Sequence, residues 1–304
     1  MRLDLSKKDS CPFQKATAFD KRLKLFLWGE YGTFKTPLAL QFPNPAVIDL
    51  EGGTDHYRNQ FNFDLLKATA PDDIMEAVDW LLVNPHPYRT LVIDPVTIYW
   101  DALQRKWADI FLKRKKGGAG YKIDFYELQP NDWRYIKGEL NTLLRKLVAL
   151  DMNIIVTARQ KTRYKEGAFM EAIGETFDGD KSLPYMFDTI VHTFLGDDEE
   201  PMGKCLRDRT RTLSKEPFKL AYTFFEKLFG EDALTREAKP ITFATKEEKA
   251  KITEYIEKLG LSEEKVKQRL ATYGATTLDD LTEDNAKLII EKLEKALKKE
   301  NDNA

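Results

Sequence analysis

Apolar residues fall along this chain in two rhythms. Leu23–Trp28, Val47–Leu50, Thr90–Ile93, Ile154–Thr157 and Thr189–Leu195 are short, largely apolar runs. Runs of that length, ended by glycine or by acids, predict strands buried on both faces. Between them the apolar positions take a helical spacing. Ile74, Ala77, Val78, Leu81 and Leu82 share one face of a helix predicted over Pro71–Val83. Further helices are predicted from Pro37 to Gln41, over Val96–Lys113 and over Asp132–Leu150. A basic, glycine-rich loop is predicted at Lys113–Lys122. Strands alternating with helices at this spacing predict an α/β fold with a mostly parallel sheet.

The rhythm changes near residue 240. Residues 245–304 are rich in Lys, Glu and Leu at helical periods. Leu259-Gly260 and Tyr273-Gly274 read as helix ends, with glycine supplying the left-handed residue past the last turn. Thr282 reads as an N-cap, its hydroxyl free to accept from a first-turn amide. The division expected is a polar arm over 1–22, an α/β domain over 23–240 and a small C-terminal helical domain over 241–304.

Composition narrows the function classes. A hydrophobic fraction of 42% with 32% charged residues supplies a folded core. The formal net charge of -2 excludes a chain-wide polybasic surface, so nucleic acid would have to meet a local patch. Cys11 and Cys205 stand far apart, which excludes a disulfide framework and any cysteine metal spacing and suits a reducing cytosol. Met1–Asp20 lacks the apolar stretch of a signal peptide. No run approaches the roughly 18 apolar residues of a membrane span. The expectation is a cytoplasmic protein.

The central chemical signal follows the first strand: Gly29-Glu30-Tyr31-Gly32-Thr33-Phe34-Lys35-Thr36. In the Walker A pattern G-x-x-x-x-G-K-[ST], glycines let backbone N–H groups wrap phosphates. The lysine reaches the β and γ phosphates, and the hydroxyl binds Mg²⁺. Gly29, Lys35 and Thr36 stand where the pattern wants them, and Gly32 is an extra glycine within the loop. Phe34 occupies the place of the second glycine, where a ring stands to crowd the phosphates. Pro37 is tolerated in the first helical turn, whose N–H groups are orphans anyway. The following helix N-terminus attracts anions. The competing reading is a glycine-rich turn without a ligand.

Two strands end in acids. Thr90-Leu91-Val92-Ile93-Asp94 has the Walker B shape, whose carboxylate holds the Mg²⁺ shell. Asp94-Pro95 also suits a plain turn. Val47-Ile48-Asp49-Leu50-Glu51 puts Glu51 at the carboxyl edge, where ligands of open α/β sheets bind. A carboxylate there can orient a water and take its proton. Solvated loop acids are the alternative. After Ile154–Thr157 come Ala158-Arg159-Gln160-Lys161, with Gln160 the candidate γ-phosphate contact. Arg159, Lys161 and Arg163 are either arginine-finger-type cations acting on a neighbour's nucleotide or ordinary surface charges.

Taken in order, these pieces resemble the RecA-like P-loop ATPases carried by bacteriophages, relatives of RecA and Rad51, over residues 23–195. Asp49-Leu50-Glu51 resembles that family's D-x-E, whose Glu is the catalytic base. Ile93-Asp94 resembles its Walker B, Thr157-Ala158-Arg159-Gln160 its polar strand end, and Lys181-Ser182-Leu183-Pro184-Tyr185 to Asp188 its closing segment. The resemblance implies ATP and Mg²⁺ as ligands and a role in recombination or single-strand annealing. It also implies single-stranded DNA as partner and a homo-oligomer. Ala271-Thr272-Tyr273-Gly274 through Leu278, Leu281 and Leu293 resembles helical tails of some phage recombination proteins, which suit protein or DNA contacts.

Lys113-Arg114-Lys115-Lys116 is the densest basic run. The resemblance makes it a DNA-binding candidate, with Tyr121, Phe125, Tyr126 and Trp133 free to stack on bases. A solvated loop with core aromatics explains the same residues, and Arg207, Arg209 and Arg211 are equally ambiguous. Three functions compete. The first is an ATPase acting on single-stranded DNA. The second is a nucleotide-dependent binding module that Phe34 keeps from hydrolysis. The third is a scaffold that lost its ligand, which intact Lys35, Thr36, Glu51 and Asp94 argue against.

Overall fold

The computed structural model describes residues 22–302, apart from 117–127, 166–170, 210, 212, 274 and 276. The five predicted strands are present as β1 (Lys24–Gly29), β2 (Pro45–Asp49), β4 (Thr90–Asp94), β5 (Asn153–Tyr164) and β7 (Thr189–Leu195). Four more strands lie outside the predicted set: β3 (Asp64–Lys67), β6 (Ala172–Phe177), β8 (Pro201–Asp208) and β9 (Phe218–Lys219). They form one sheet in the order β3-β2-β4-β5-β1-β7-β8-β9, with β6 beside β5. β2, β4, β5, β1 and β7 run parallel, each paired with its neighbour. β6, β8 and β9 add antiparallel pairings. The sheet is mixed and mostly parallel, as the alternating pattern predicts. β5 separates the strand of the phosphate loop, β1, from the strand of Asp94, β4.

The parallel strands alternate faces in register. Leu25, Leu27, Val47, Val92, Ile155 and Val191 join one apolar core with Leu38 and Ala39. Those last two belong to α1 (Lys35–Leu40), the helix after the phosphate loop. On the other face Phe26 meets the rings of Phe177 and Phe187, at 5.2 and 5.3 Å between centroids. Unpredicted helices α5 (Tyr222–Phe229) and α6 (Glu231–Thr235) add Phe225 and Leu234 to the first core.

α2 spans Pro71–Val83 as predicted, with Pro71 opening it and Asp73 accepting from the Ala70 amide at 2.9 Å. α3 spans Val96–Lys116. Lys113–Lys116 is therefore the last turn of a helix, which corrects the loop expected from Lys113. Lys and Arg are good helix formers, and cations at a helix C-terminus meet its negative dipole end. α4 spans Pro130–Ala149, two residues earlier than expected, because Pro130 suits the first helical position.

The C-terminal helices are α7 (Lys246–Lys258), α8 (Glu263–Thr272) and α9 (Glu283–Asp302). Gly260 is left-handed (φ 55) and Thr282 caps α9 by accepting from the Asn285 amide at 3.3 Å, both as predicted. Gly274 lies outside the described residues. Ile252, Leu270, Leu281 and Leu293 are among the side chains that close this bundle's own core.

The chain divides into two compact units. One combines Met1–Leu65, Arg89–Thr97 and Met152–Arg236, and holds the parallel strands. The other combines Leu66–Tyr88, Ile98–Asp151 and Glu237–Ala304, and is mainly helical. Among the described residues, no helix is long and apolar enough to cross a membrane.

Candidate functional site

The loop between β1 and α1 is held by close backbone packing. Gly29 needs its missing side chain: a Cβ there would fall on the carbonyl oxygen and hydroxyl of Thr193 in β7. The buried hydroxyls of Thr33 and Thr193 pair at 2.7 Å, and Thr33 donates to the Glu30 carbonyl at 2.8 Å. Gly32 and Phe34 both sit in the left-handed region, at φ 74 and 68. Glycine is favoured at the Phe34 position because L-residues pay for that conformation. The backbone nonetheless adopts it, and the Phe34 carbonyl accepts the first helical bond of α1 from Leu38 at 3.0 Å. The Phe34 ring packs against the apolar core beneath the loop while still lining the cleft. Tyr31, by contrast, stands almost fully exposed.

Lys35 and Thr36 turn toward the strand ends. The Lys35 ammonium donates to the carbonyls of Gly29 at 3.0 Å and Glu30 at 2.5 Å. Burial pushes its pKa below the usual lysine value, against the pull of the Asp94 and Glu51 carboxylates. Thr36 donates to Asp94 Oδ2 at 2.6 Å, and Thr157 of β5 donates to the other oxygen. Asp94 is buried, and burial raises its pKa against those two hydroxyl bonds. A buried carboxylate of that kind gains from a nearby cation.

Asp49, at the end of β2, shapes the next loop. It accepts from the amides of Glu51, Gly52 and Thr54 at 3.0, 2.7 and 3.0 Å, and from the Thr54 hydroxyl. Burial opposes its charge, but the Thr54 hydroxyl and the three amides hold its pKa below the usual carboxylate value. The loop so fixed presents Glu51, half-exposed, in a salt bridge with Arg159.

β5 sends its side chains to both faces. Thr157 meets Asp94 and Arg159 meets Glu51, on the face that carries α1. Gln160 points the other way. It lines the mouth of the cleft, but its carboxamide oxygen sits 3.0 Å from His192 Nε2. His192 in turn stacks on Trp28, with ring centroids 4.1 Å apart. Burial lowers the His192 pKa, with Glu175 pulling against it.

Gly29 to Pro37, Glu51, Tyr57, Asp94 and Arg159 thus surround one cleft of about 540 Å³. That size suits a cofactor or nucleotide. The donor set also fits Mg²⁺. Among the described residues no cluster of three His, Cys, Asp or Glu side chains could hold a metal without help. Mg²⁺ characteristically takes one or two protein oxygens, with phosphates and waters completing its shell. Thr36 and Asp94 supply such a pair.

Lys113, Arg114, Lys115 and Lys116 lie on the last turn of α3, and their side chains lie outside the described residues, as do Tyr121, Phe125 and Tyr126. Trp133 is half-buried, 6.4 Å from the Trp100 ring. Arg207 lies over the Tyr185 ring and Arg209 pairs with Asp188. Lys161 pairs with Asp178. Sequence reasoning did not single out Thr193 or the hub role of Asp49. A threonine in a buried strand carries no local signal, whereas Asp followed by Glu-Gly-Gly is a legible turn former.

A family model described as AAA domain matches residues 21–217, more than half of the chain. No curated protein matches it.

Proposed function

The chain belongs to the AAA domain family of P-loop proteins, and on that premise we propose that it binds ATP with Mg²⁺ in this cleft and hydrolyses it. The observation that carries the reading is the 2.6 Å bond from Thr36 to Asp94, which joins the two expected metal-shell groups across 58 positions of sequence. The loop amides and the α1 N-terminus would take the phosphates. Lys35, bonded among the described residues to loop carbonyls and a hydroxyl rather than to a carboxylate, would exchange those bonds for phosphate oxygens. Bound Mg²⁺ would offset phosphate charge and orient the terminal group. Glu51 is the proposed base, placed by Asp49 and able to take a proton from a water.

A second reading, nucleotide binding without turnover, is favoured by the Arg159–Glu51 salt bridge. While Arg159 holds that carboxylate, the oxygen it occupies is not available to orient a water. Hydrolysis then requires Arg159 to leave Glu51. The wider proposal keeps single-stranded DNA as partner, on the charge of Lys113–Lys116, within a homo-oligomer.

The test is ATP binding and Mg²⁺-dependent hydrolysis, with and without single-stranded DNA, comparing wild type with Lys35→Ala. Binding lost in the variant supports the site, and undiminished binding refutes it. Binding without turnover selects the second reading.

A further inference from the structure

The C-terminal bundle contains a feature that nucleotide chemistry does not use. α7, α8 and α9 leave a small apolar pocket of about 40 Å³. Its floor is the buried Ile252, Leu270 and Leu293, and Val266, Leu261 and Ile289 form its walls. A water-sized probe needs roughly 10–15 Å³. The space is about three such volumes and therefore takes the tip of one side chain, not a cofactor.

Two cations, Arg269 and Lys292, line this pocket with the apolar groups. Elsewhere in the bundle, lysines are matched to carboxylates. Lys249 pairs with Asp279, Lys251 with Glu294, Lys258 with Glu254, Lys287 with Glu283 and Lys295 with Glu291. Among the described residues Arg269 makes no side-chain hydrogen bond or salt bridge. Lys292 donates to the Tyr273 hydroxyl at 2.9 Å. Both are exposed. An apolar socket with two exposed cations that form no salt bridge among the described residues is complementary to an apolar side chain flanked by carboxylates.

We propose that this pocket is a docking site for an acidic peptide segment of a partner protein, which inserts one branched aliphatic side chain while its neighbouring carboxylates meet Arg269 and Lys292. The socket supplies desolvation of one side chain, and the cations supply selectivity for charge.

The experiment is methyl NMR on the full chain, titrated with the capped tripeptide Ac-Asp-Leu-Asp-NH₂. Ac-Lys-Leu-Lys-NH₂ and Ac-Asp-Ala-Asp-NH₂ are the charge and size controls. Saturable shifts of the Ile252, Val266, Leu270 and Leu293 methyls are expected with the first peptide alone. Affinity on the order of millimolar is expected for so small a ligand. The double substitution Arg269→Gln, Lys292→Gln should weaken binding about fivefold, as two exposed ion pairs would. Its unshifted methyl spectrum before peptide addition would show that the bundle still folds. Absence of shifts, or equal shifts from either control peptide, overturns the proposal. Shifts of the same methyls on simple concentration overturn it in favour of a second copy as occupant. Shifts with single-stranded oligothymidylate, and none with the acidic peptide, overturn it in favour of nucleic acid.

Discussion

Replacing Phe34 separates the cost of its backbone from the value of its ring. Phe34 sits at φ 68, ψ 17, and its ring packs on the core under the loop. Phe34→Gly and Phe34→Ala both remove the ring, so lost packing cancels between them. They differ in what each pays to be left-handed. An L-residue pays about 1–2 kcal/mol in that region. Glycine escapes that cost but loses about 0.5–1 kcal/mol more backbone entropy on folding. The balance favours glycine by about 1 kcal/mol, the reverse of the usual order beside a helix. The ring itself, half-buried, is worth about 1 kcal/mol. Phe34→Gly should therefore stay close to wild type, while Phe34→Ala falls visibly below it. Urea unfolding followed by tryptophan fluorescence reads the difference. With a slope of about 3 kcal/mol/M, the glycine variant should unfold about 0.3 M later than the alanine variant. An alanine variant as stable as the glycine variant, or more so, would show that the loop backbone is not left-handed at this residue.

Other consequences can be measured on the same protein. Glu51→Gln should keep ATP binding and stop turnover, and turnover that persisted would remove Glu51 as the base. Arg159→Ala should leave ATP affinity within a few fold while altering turnover, because its partner is Glu51 and not the phosphate loop; unchanged turnover would make the salt bridge a bystander. Asp49→Asn should cost about 2–3 kcal/mol at neutral pH, since several donors converge on that charge. Because the folded pKa of Asp49 lies below its unfolded value, its contribution is complete above about pH 4 and is lost as pH falls through the folded pKa. The gap between wild type and Asp49→Asn should narrow on acidification, and a constant gap would refute the assignment. Neutralising Lys113–Lys116 should flatten the salt dependence of single-strand binding, measured by anisotropy. An unchanged slope would assign that contact elsewhere.

Legibility followed burial. The five parallel strands were readable because both faces are apolar, and α2 because Pro71 and its apolar spacing agree. β6 was not, since it is exposed and pairs with the polar outer half of β5. β8 opens with Pro201 and contains Gly203, residues that argue against a strand interior. Gly203 is there because Phe218, Leu220 and Val191 crowd the space a Cβ would need. In the site, Lys35, Thr36, Asp94 and Glu51 were legible from spacing, and the structure brings them into one cleft. Which cation meets Glu51 was not. The sequence leaves Arg159 open between an arginine-finger-type cation for a neighbour's nucleotide and a surface charge, since such contacts are not encoded locally, and the structure sets it against Glu51 of its own chain.

The alternation of β5 bears on how such a chain can tolerate change in length. Thr157 and Arg159 serve one face and Gln160 the other, within four consecutive residues. Inserting or deleting one residue ahead of Arg159 would exchange the faces of everything beyond it. The guanidinium would then turn toward His192 and the carboxamide toward Glu51. Length variation in this part of the molecule is therefore confined to the turns, or comes in pairs of residues.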